Sequence, residues 1–589
     1  MLWAGVKPVK RSLTMYMVWL SFEIPGPRNT LKEEESNMDD SVPVQQQFSN
    51  KSLFDTTVYG PGKDDSISDA TENAAVTQNS ITIKGATISY TAHAGHLVAY
   101  DQTSARPYAK IFYVSFTKND IAASSRPVTF FYNGGPGSSS VFLLLGSFGP
   151  RRIKTKMPEF TPPPYTLENN EDSLLDRTDL VFINPVGTGY SSAIAPWKNG
   201  HFWSTDEDAR SIKQFIKRYL TRYGRWNSPK FLFGESYGTP RTCVLTWLLH
   251  EEGVDLNGIV LQSSVLDMSK FNDSVGVLPT FAADALFHHR VRVSPLPTDL
   301  DSFMKQVEDF ARGKFTEAKR TYPKVDPETI RDLSEILGIP PKVLEDWKLE
   351  LKSVDTHGNY IYLTSLLKDE DEAVGAYDGR VTANESGIAG SLSSDSGGND
   401  PTLTAVGGVY TSMWNVYLNE ELQYTSTSPF LELNDEAFKN WNFSHTDPTG
   451  KKSHSDFFSL YTAGDLAASM EINPSLRVFC ANGYYDTVTP FLQTKLDLEN
   501  MPIGKKASLD RLEFHNYESG HMIYLDNLKD PRSKMNSRSK MKNNLGAFYD
   551  RIMADHVALT AELAGRTEAQ ISRSQYHSIY RRSFSRTPY

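Results

Sequence analysis

Short, mostly apolar runs that alternate with stretches of helical periodicity are the feature that most restricts how this sequence can fold. Val128–Tyr132, Leu180–Ile183 and Gly258–Leu261 are such runs. Ser204–Tyr223, which lies between the second and the third, repeats apolar residues at the spacing of one helix face. Strands that are apolar on both faces lie in parallel sheets covered by helices on both sides. The sequence therefore predicts an α/β fold with a mostly parallel central sheet flanked by helices.

This alternation stops after about residue 265 and resumes with an apolar run at Leu476–Cys480. Residues 266–424 are polar, loop-rich and helical in pattern, and we expect them to form a largely helical cap inserted into the fold. The core is then expected in two parts, residues 81–265 and 425–565. Insertions into open α/β sheets often shape the ligand crevice at the carboxyl ends of the strands, so the cap is expected to border a binding site.

The two ends of the chain are expected to lie outside this fold. Residues 1–80 are predicted to be a flexible arm, because most of them are polar and show little apolar periodicity. Basic residues precede a short apolar run, Leu13–Phe22, in the order of a secretory signal, but no small-residue cleavage site follows. The protein is secreted or periplasmic if this run is a signal and cytoplasmic otherwise, and Met38 as the true start is an alternative. Residues 566–589 are expected to form a basic tail.

Composition excludes several functional classes. The formal net charge is −10, and basic residues cluster only in the tail, which argues against nucleic acid as a partner. Cys243 and Cys480 are the two cysteines, so one disulfide is possible but a disulfide-stapled scaffold is not. Neither His288–His289 nor His250–Glu251 has further metal-ligand residues at a suitable spacing. We expect no metal, no cofactor and no integral membrane segment, and the sequence leaves the oligomeric state open.

A five-residue motif marks the strongest candidate for catalysis. Gly234-Glu235-Ser236-Tyr237-Gly238 fits the pattern Gly-x-Ser-x-Gly and lies between an apolar strand that ends at Phe233 and a helical segment. In that setting the glycines allow a close backbone approach, and a strained serine projects its hydroxyl from the turn. The alternative is an ordinary strand-to-helix turn with a capping serine. The context favours Ser236 as a nucleophile.

A serine nucleophile needs a base, and the base needs a carboxylate to orient it. In folds with this turn, the acid and then the base follow the nucleophile along the chain. Asp486 follows the predicted strand Leu476–Cys480, and His521 follows the next predicted strand. Taken alone, His521 would be an ordinary polar histidine, and its position in this order is what makes it the candidate base. The sequence predicts a catalytic triad of Ser236, Asp486 and His521.

A glycine pair follows the strand Val128–Tyr132. Gly134 and Gly135 lack a Cβ, so their N–H groups can approach a developing oxyanion closely. We expect the N–H groups of Gly135 and Tyr237 to form an oxyanion hole. The alternative is an ordinary Gly-Pro-Gly turn.

Together these blocks resemble the serine carboxypeptidases. The resemblance extends from about residue 81 to 560 and is strongest at Asn133–Ser139, Pro185–Ser191, Gly234–Gly238, the loop from Asp486 to Pro490, and Gly520–Met522. It implies an α/β-hydrolase fold and the removal of C-terminal residues from peptides through an acyl-enzyme. This chain has Gly-Thr-Pro after Tyr237 and a Glu-Ser-Gly-His-Met run, and both are more similar to bacterial branches of the family.

The resemblance also implies how a substrate's terminal carboxylate is bound. Asn133, the N–H of Gly134 and Glu235 would hold it, so the substrates would be peptides with a free C-terminus. Two adjacent carboxylates repel, so Glu235 must share a proton with the substrate, and activity is expected to favour acid pH. The resemblance also implies an acid about a dozen residues beyond the glycine pair that pairs with the motif Glu, and this chain has Gly146 and Ser147 there. The pH optimum is therefore left open.

Two other functions are compatible with the same motifs. One is an esterase or an acyltransferase, because the triad alone does not select the acceptor. The other is a non-catalytic relative that binds peptides. The sequence does not indicate which side chains are preferred beside the scissile bond, nor the role of individual residues within 266–424.

Overall fold

A ten-stranded mixed sheet is the centre of the part of the chain that the computed structural model describes, residues 50–355, 359–384, 400–504, 509–531 and 533–565. Numbered along the chain, the strands are β1 Leu53–Asp55, β2 Ala74–Ile83, β3 Ala86–Tyr100, β4 Pro107–Lys118, β5 Val128–Tyr132, β6 Arg151–Ile153, β7 Leu167–Asn169, β8 Asp179–Ile183, β9 Ser192–Ala193, β10 Lys230–Glu235, β11 Gly258–Gln262, β12 Glu372–Val374, β13 Thr382–Asn384, β14 Tyr424–Ser426, β15 His445–Thr446, β16 Lys452–Ser453, β17 Arg477–Gly483 and β18 Leu512–Tyr517.

The order of strands across the central sheet is β18-β17-β11-β10-β5-β8-β4-β3-β2, and β9 pairs with β4. The strands from β8 to β18 in this order pair in parallel, whereas β2, β3 and β4 are antiparallel to their neighbours. The β10 strand lies between β5 and β11, so residues at its carboxyl end are enclosed on both sides. In such sheets ligands bind beyond the carboxyl ends of the strands.

Helices cover both faces of this sheet. Numbered along the chain, the α-helices are α1 Val141–Leu143, α2 Thr205–Arg222, α3 Gly238–Glu251, α4 Ser274–Phe287, α5 Leu300–Phe310, α6 Thr316–Thr321, α7 Pro327–Leu337, α8 Pro341–Asp346, α9 Ile361–Ser365, α10 Pro401–Val416, α11 Asp435–Lys439, α12 Ala463–Ile472, α13 Phe491–Glu499 and α14 Ser537–Gly565. Apolar side chains of α2, α3 and α12 pack on one face of the sheet, and those of α10 and α14 pack on the other.

The α2 helix illustrates how the sequence dictates these elements. Its amino end is capped by Ser204, whose hydroxyl accepts a hydrogen bond from the N–H of Glu207. Acidic residues occupy its first turn and Arg222 its last, which suits the helix dipole. Phe215 and Ile216 are fully buried on the face that meets the sheet. The predicted helix Ser204–Tyr223 differs from α2 by one residue at each end.

The helices α4 to α9 have an apolar core of their own. It includes Phe281, Leu333 and Tyr362, and it continues into Tyr485 and Phe491 of the main fold. The ring of Phe281 stacks on that of Tyr362 with centroids 4.0 Å apart. The cap is thus packed against the loop between β17 and α13, which is the loop that carries Asp486.

The expectation of a flexible arm is wrong for residues 50–80. Within them β1 pairs in parallel with β14, and β2 pairs along its whole length with β3. The carboxylate of Asp55 accepts hydrogen bonds from the hydroxyls of Tyr59 and Tyr424, at 2.7 and 2.6 Å. These pairings are remote in sequence, so local composition did not reveal them. Residues 1–49, with the signal-like run, and the tail 566–589 lie outside the described residues.

Three further properties of the described residues concern membrane spans, metal sites and thiols. Among them, no helix combines the length and the apolar character that crossing a membrane requires, and no group of three or more His, Cys, Asp or Glu side chains is arranged to hold a metal ion. Cys243 and Cys480 are both buried and unpaired thiols.

Candidate active site

Ser236 occupies a sharp turn between β10 and α3. Its backbone φ is +58°, in the left-handed region that residues other than glycine rarely adopt. A Cβ on Gly234 would lie 2.1 Å from the carbonyl oxygen of Gly238, so the turn can close only with glycine at position 234. The N–H of Ser236 donates to the carbonyl of Gln262 on the neighbouring strand, at 3.0 Å. The predicted nucleophile elbow is therefore present as local structure.

Asp486 and His521 meet at the carboxyl ends of β17 and β18. The Nδ1 atom of His521 lies 2.8 Å from an Asp486 carboxyl oxygen. Asp486 also accepts hydrogen bonds from Thr489, at 2.9 Å from its N–H and 2.6 Å from its hydroxyl. Burial opposes the charged imidazole, but the charge and hydrogen bond of Asp486 outweigh it and raise the pKa of His521. The pair can orient an imidazole and stabilise its protonated form.

Ser236 and His521 both line one cavity of about 530 Å³. The cavity lies beyond the carboxyl ends of the strands and beneath the cap. Ser236 is half-buried, whereas Asp486 and His521 are buried. An acyl-transfer site needs its nucleophile open to the substrate and near the base, and a cavity shared by Ser236 and His521 is compatible with both.

The glycine pair lies against the elbow. A Cβ on Gly134 would be 2.4 Å from the backbone nitrogen of Tyr237, so the two backbones approach as closely as glycine permits. Gly135 has a φ of +100°, which a side chain would strain. Gly134, Gly135 and Tyr237 all line the cavity beside Ser236. The residues assigned to the oxyanion hole are thus brought together.

Glu235 is the one carboxyl group directly beside the nucleophile in sequence, and it points into a hydrogen-bonded cluster. The side-chain amide of Asn133 donates to it at 2.7 Å, and the Tyr524 hydroxyl lies 3.0 and 2.9 Å from its two oxygens. Burial raises its pKa to about 7, against the opposing effects of His521 and of these two hydrogen bonds. Near neutral pH the group can therefore hold or release a proton.

Asn133 is itself fixed on three sides. Its side-chain oxygen accepts from the N–H of Leu143 at 3.0 Å, so the amide nitrogen must face Glu235. Its backbone carbonyl accepts from the guanidinium of Arg241, at 2.6 Å. Arg241 is held in turn by the buried carboxylate of Asp208. No sequence pattern marks Arg241, which looks like an ordinary polar residue of α3.

Tyr524 was also missed, although it lies only three positions after His521. Its ring lies beside Gly146, in the stretch where the family resemblance implies an acid that this chain lacks. A Cβ on Gly146 would lie 2.3 Å from the Tyr410 hydroxyl and 2.6 Å from the Tyr524 ring. The absent acid is therefore replaced as a partner of Glu235 by a phenol from another part of the chain.

A cap segment, residues 376–380, contacts both loops that carry the acid and the base. The N–H of His521 donates to the carbonyl of Tyr377 at 2.6 Å, and the N–H of Gly379 donates to the carbonyl of Tyr485 at 2.9 Å. The Tyr377 ring meets the His521 ring edge-on, with centroids 5.2 Å apart. No sequence signal pointed to this segment, because its contacts with the two loops depend on tertiary packing.

Arg380 anchors this segment in a buried ion-pair network. It donates to Asp378 at 2.7 Å, to Asp526 at 2.9 Å and to the carbonyl of Glu518 at 3.0 Å. Asp378 also accepts from the N–H of Gly520, the residue before His521, at 3.2 Å. The side chain of Arg380 is 2% exposed, so these contacts are made away from water.

Comparisons with known proteins also find similarity to serine carboxypeptidases. Residues 84–275 match the model of the serine carboxypeptidase family. The chain is 32% identical over 147 residues to a pheromone-processing carboxypeptidase of Uncinocarpus reesii. The aligned part covers 25% of this chain and 20% of that protein. It is 21% identical over 178 residues to a serine carboxypeptidase family member of Dictyostelium discoideum, covering 29% of this chain and 40% of that protein.

Among solved structures, a prohormone-processing carboxypeptidase from Saccharomyces cerevisiae covers 78% of this chain and 91% of its own, at 16% identity and a TM-score of 0.47. The curated matches span only about a fifth to two fifths of the relatives' length. The resemblance to the family is confirmed over residues 84–275, which include Asn133 and Ser236. The sheet order and the elbow confirm the α/β-hydrolase fold. The expected closeness to bacterial branches stays a prediction.

Proposed function

We propose that this protein is a serine-type carboxypeptidase. Residues 84–275 match the model of the serine carboxypeptidase family, and the proposal proceeds from that match. It would hydrolyse the C-terminal peptide bond of peptides through an acyl-enzyme. The observation that carries the proposal is the buried carboxyl of Glu235, which adjoins the nucleophile and is hydrogen-bonded to Asn133 and Tyr524. A general esterase has no need for a protonatable acid at that position.

The proposed chemistry begins with attack by the Ser236 hydroxyl oxygen on the carbonyl carbon of the last peptide bond. His521 takes the hydroxyl proton, and Asp486 stabilises the resulting imidazolium. The N–H groups of Gly135 and Tyr237 donate to the oxyanion of the tetrahedral intermediate. When the C–N bond breaks, His521 returns the proton to the leaving amine, and a free amino acid departs. Water then attacks the acyl-enzyme by the same route and releases the shortened peptide.

Recognition of the terminal carboxylate is assigned to Asn133, the N–H of Gly134 and Glu235. With a pKa raised to about 7, Glu235 is protonated in mildly acid solution and can donate to the substrate carboxylate. Above that pH it becomes an anion facing another anion, and binding weakens. This dependence on the protonation of Glu235 is the property that would separate an exopeptidase from an esterase with the same triad.

The test is the release of free amino acids from N-blocked dipeptides between about pH 4 and 8, the range over which a shared carboxyl proton would be lost. Ser236→Ala is the matched control, and a fluorophosphonate probe should label the wild-type protein but not this variant. Release that depends on Ser236 supports the proposal. Labelling without release at any pH would leave an esterase or acyltransferase, and no labelling would indicate a non-catalytic protein.

A further inference from the structure

One end of the cavity is lined by a continuous apolar surface, here called the aromatic wall. Its members come from the loop after β11, from the cap and from the loop before α12. They are Val265, Met268, Phe271, Tyr360, Phe457 and Phe458. The rings of Phe271 and Phe457 have centroids 5.0 Å apart, and those of Phe457 and Phe458 are 5.2 Å apart.

The aromatic wall lies on the Tyr237 flank of the nucleophile. The N–H of Val265 donates to the Thr239 hydroxyl at 3.2 Å, and that hydroxyl donates to the backbone carbonyl of Ser236 at 2.8 Å. Tyr237 packs in an apolar cluster with Val265 and Met268, against which Phe457 also packs. Val265 and Met268 of the aromatic wall therefore pack directly against the elbow residue Tyr237.

Glu235 lies on the other flank of the nucleophile. Its partner Tyr524 belongs to a different apolar cluster, together with Tyr410. A peptide whose terminal carboxylate is held by Glu235, and whose last carbonyl carbon reaches Ser236, must direct its penultimate residue to the opposite flank. That flank is the aromatic wall.

From this arrangement we propose that the enzyme selects peptides whose penultimate residue is large and apolar or aromatic, with the aromatic wall as the pocket for that side chain. The inference rests on the proposed function, because the direction of the peptide follows from the site for its carboxylate. Burying a phenylalanine or leucine side chain against such a surface favours it over alanine by about ten- to hundredfold in affinity.

A buried lysine behind the aromatic wall disfavours basic side chains. The buried Lys352 places its ammonium 4.1 Å from the centroid of the Phe271 ring and donates to the backbone carbonyls of Phe271 and Val488, at 2.7 and 3.2 Å. Burial lowers the pKa of Lys352 to about 7, so below that pH Lys352 is a cation behind the Phe271 ring and repels a lysine or arginine of the substrate.

Of the three carboxyl groups among the described cavity-lining residues, two are already engaged. The described lining residues include the carboxyls of Glu235, Asp400 and Asp435. Glu235 is assigned to the terminal carboxylate. Asp400 accepts backbone hydrogen bonds from Ala376 and Thr402, at 2.6 and 2.9 Å. Asp435 is exposed in the first turn of α11, and Ala437 of the same helix packs in the cluster of Val265 and Met268.

The first experiment measures kcat/KM for N-blocked dipeptides that end in leucine and carry phenylalanine, leucine, alanine, glutamate or lysine before it. We expect phenylalanine and leucine to exceed alanine by about ten- to hundredfold and lysine to rank last. A ranking in which lysine leads, or in which the side chain makes no difference, overturns the inference while leaving the carboxypeptidase proposal standing.

Two variants test the aromatic wall itself. Phe457→Ala should lower the phenylalanine-to-alanine ratio by about tenfold, because it removes most of one ring from the pocket. Phe458 is half-exposed, so Phe458→Glu can be made without burying a charge, and it should raise the lysine-to-phenylalanine ratio by about tenfold. Phe160→Glu is the matched control, since Phe160 is similarly exposed and lies outside the cavity lining. Unchanged ratios in both wall variants would overturn the inference.

Esters of the same blocked amino acids separate the two proposals. They carry the same acyl side chains but no terminal carboxylate, so they need the triad and the aromatic wall but not Glu235. If dipeptides are inert and the esters follow the expected ranking, the carboxypeptidase proposal fails and the pocket stands. If the esters are cleaved without that ranking, the pocket is overturned, and if they are inert as well, both proposals are overturned.

Discussion

The Tyr524 hydroxyl lies 3.0 and 2.9 Å from the two carboxyl oxygens of Glu235. Burial raises the pKa of Tyr524 far above its ordinary value, so the phenol keeps its proton and acts as a donor. A hydrogen bond donated to a carboxylate stabilises the charged form, and this contact therefore opposes the effect of burial on Glu235. Tyr524 thus helps to set the pH at which Glu235 loses its proton.

Tyr524→Phe should move that pH upward. The variant removes the donor but keeps the ring, so Glu235 loses a contact that favours its anion, and its pKa rises further. The increase of KM for dipeptides on the alkaline side should begin at a higher pH than in the wild type. KM profiles of both proteins from pH 6 to 9 check this, and coincident profiles would contradict the assigned role.

Glu235→Gln should abolish the alkaline increase in KM. In the wild type, with a pKa of about 7, the acid is protonated below that pH and ionised above it. KM for dipeptides should then rise by about tenfold per pH unit above pH 7 as the binding-competent form is titrated away. The glutamine variant carries no proton to lose, so its KM should be flat. Hydrolysis of blocked esters by the variant serves as the control that the triad is intact.

The same variant should shift the acid side of ester hydrolysis to lower pH. The negative charge of Glu235 is one of the influences that raise the pKa of His521. Without it, His521 should lose its proton at a lower pH and act as a base over a wider range. The pH dependence of kcat/KM for an ester, measured for the wild type and for the variant, gives the midpoint of the acid side for each protein. A midpoint that stays in place would show that the two groups do not interact.

Ser236→Gly and Ser236→Ala should differ in stability although both lose activity by about 10⁴-fold or more. The φ of +58° strains alanine but not glycine. The glycine variant should therefore have a free energy of unfolding about 0.5–1 kcal/mol higher than the alanine variant. Denaturant unfolding of the two proteins makes the comparison, and a less stable glycine variant would argue against a strained elbow.

Arg380→Ala should lower both stability and kcat. It leaves the buried carboxylates of Asp378 and Asp526 without their partner, which costs about 3–5 kcal/mol. It should also loosen the segment 376–380, so kcat should fall more than KM changes, measured at a temperature where the variant is folded. Arg290→Ala is the matched control, because its acidic partners are exposed and such pairs contribute about 1 kcal/mol or less.

Patterns that are local in the sequence predicted most of the core. The apolar run Val128–Tyr132 coincides with β5, and the elbow around Ser236 formed where glycine spacing required it. The order of nucleophile, acid and base indicated Asp486 and His521, which are hydrogen-bonded in the structure. Glycine spacing and strand periodicity are strong constraints because each is imposed by the backbone within a few residues.

Contacts between distant segments were not predictable in this way. The pairing of β1 with β14 joins segments more than three hundred residues apart, and Tyr377 meets His521 through a backbone carbonyl that any residue could supply. The sequence showed no acid near Ser147 to pair with Glu235, and the structure pairs it with Tyr524. In each case the choice of partner depends on tertiary packing, which local composition does not predict.

Gly146 has a consequence for how such sites can evolve. A side chain there would collide with Tyr410 and Tyr524, so an acid at that position and a tyrosine at position 524 cannot be present together in this packing. Supplying Glu235 with a partner thus has two mutually exclusive solutions, and a lineage can move from one to the other only by changing position 146 together with the tyrosines around it. Introducing the acid by a single substitution should be deleterious, and smaller residues at both 410 and 524 should be needed to compensate.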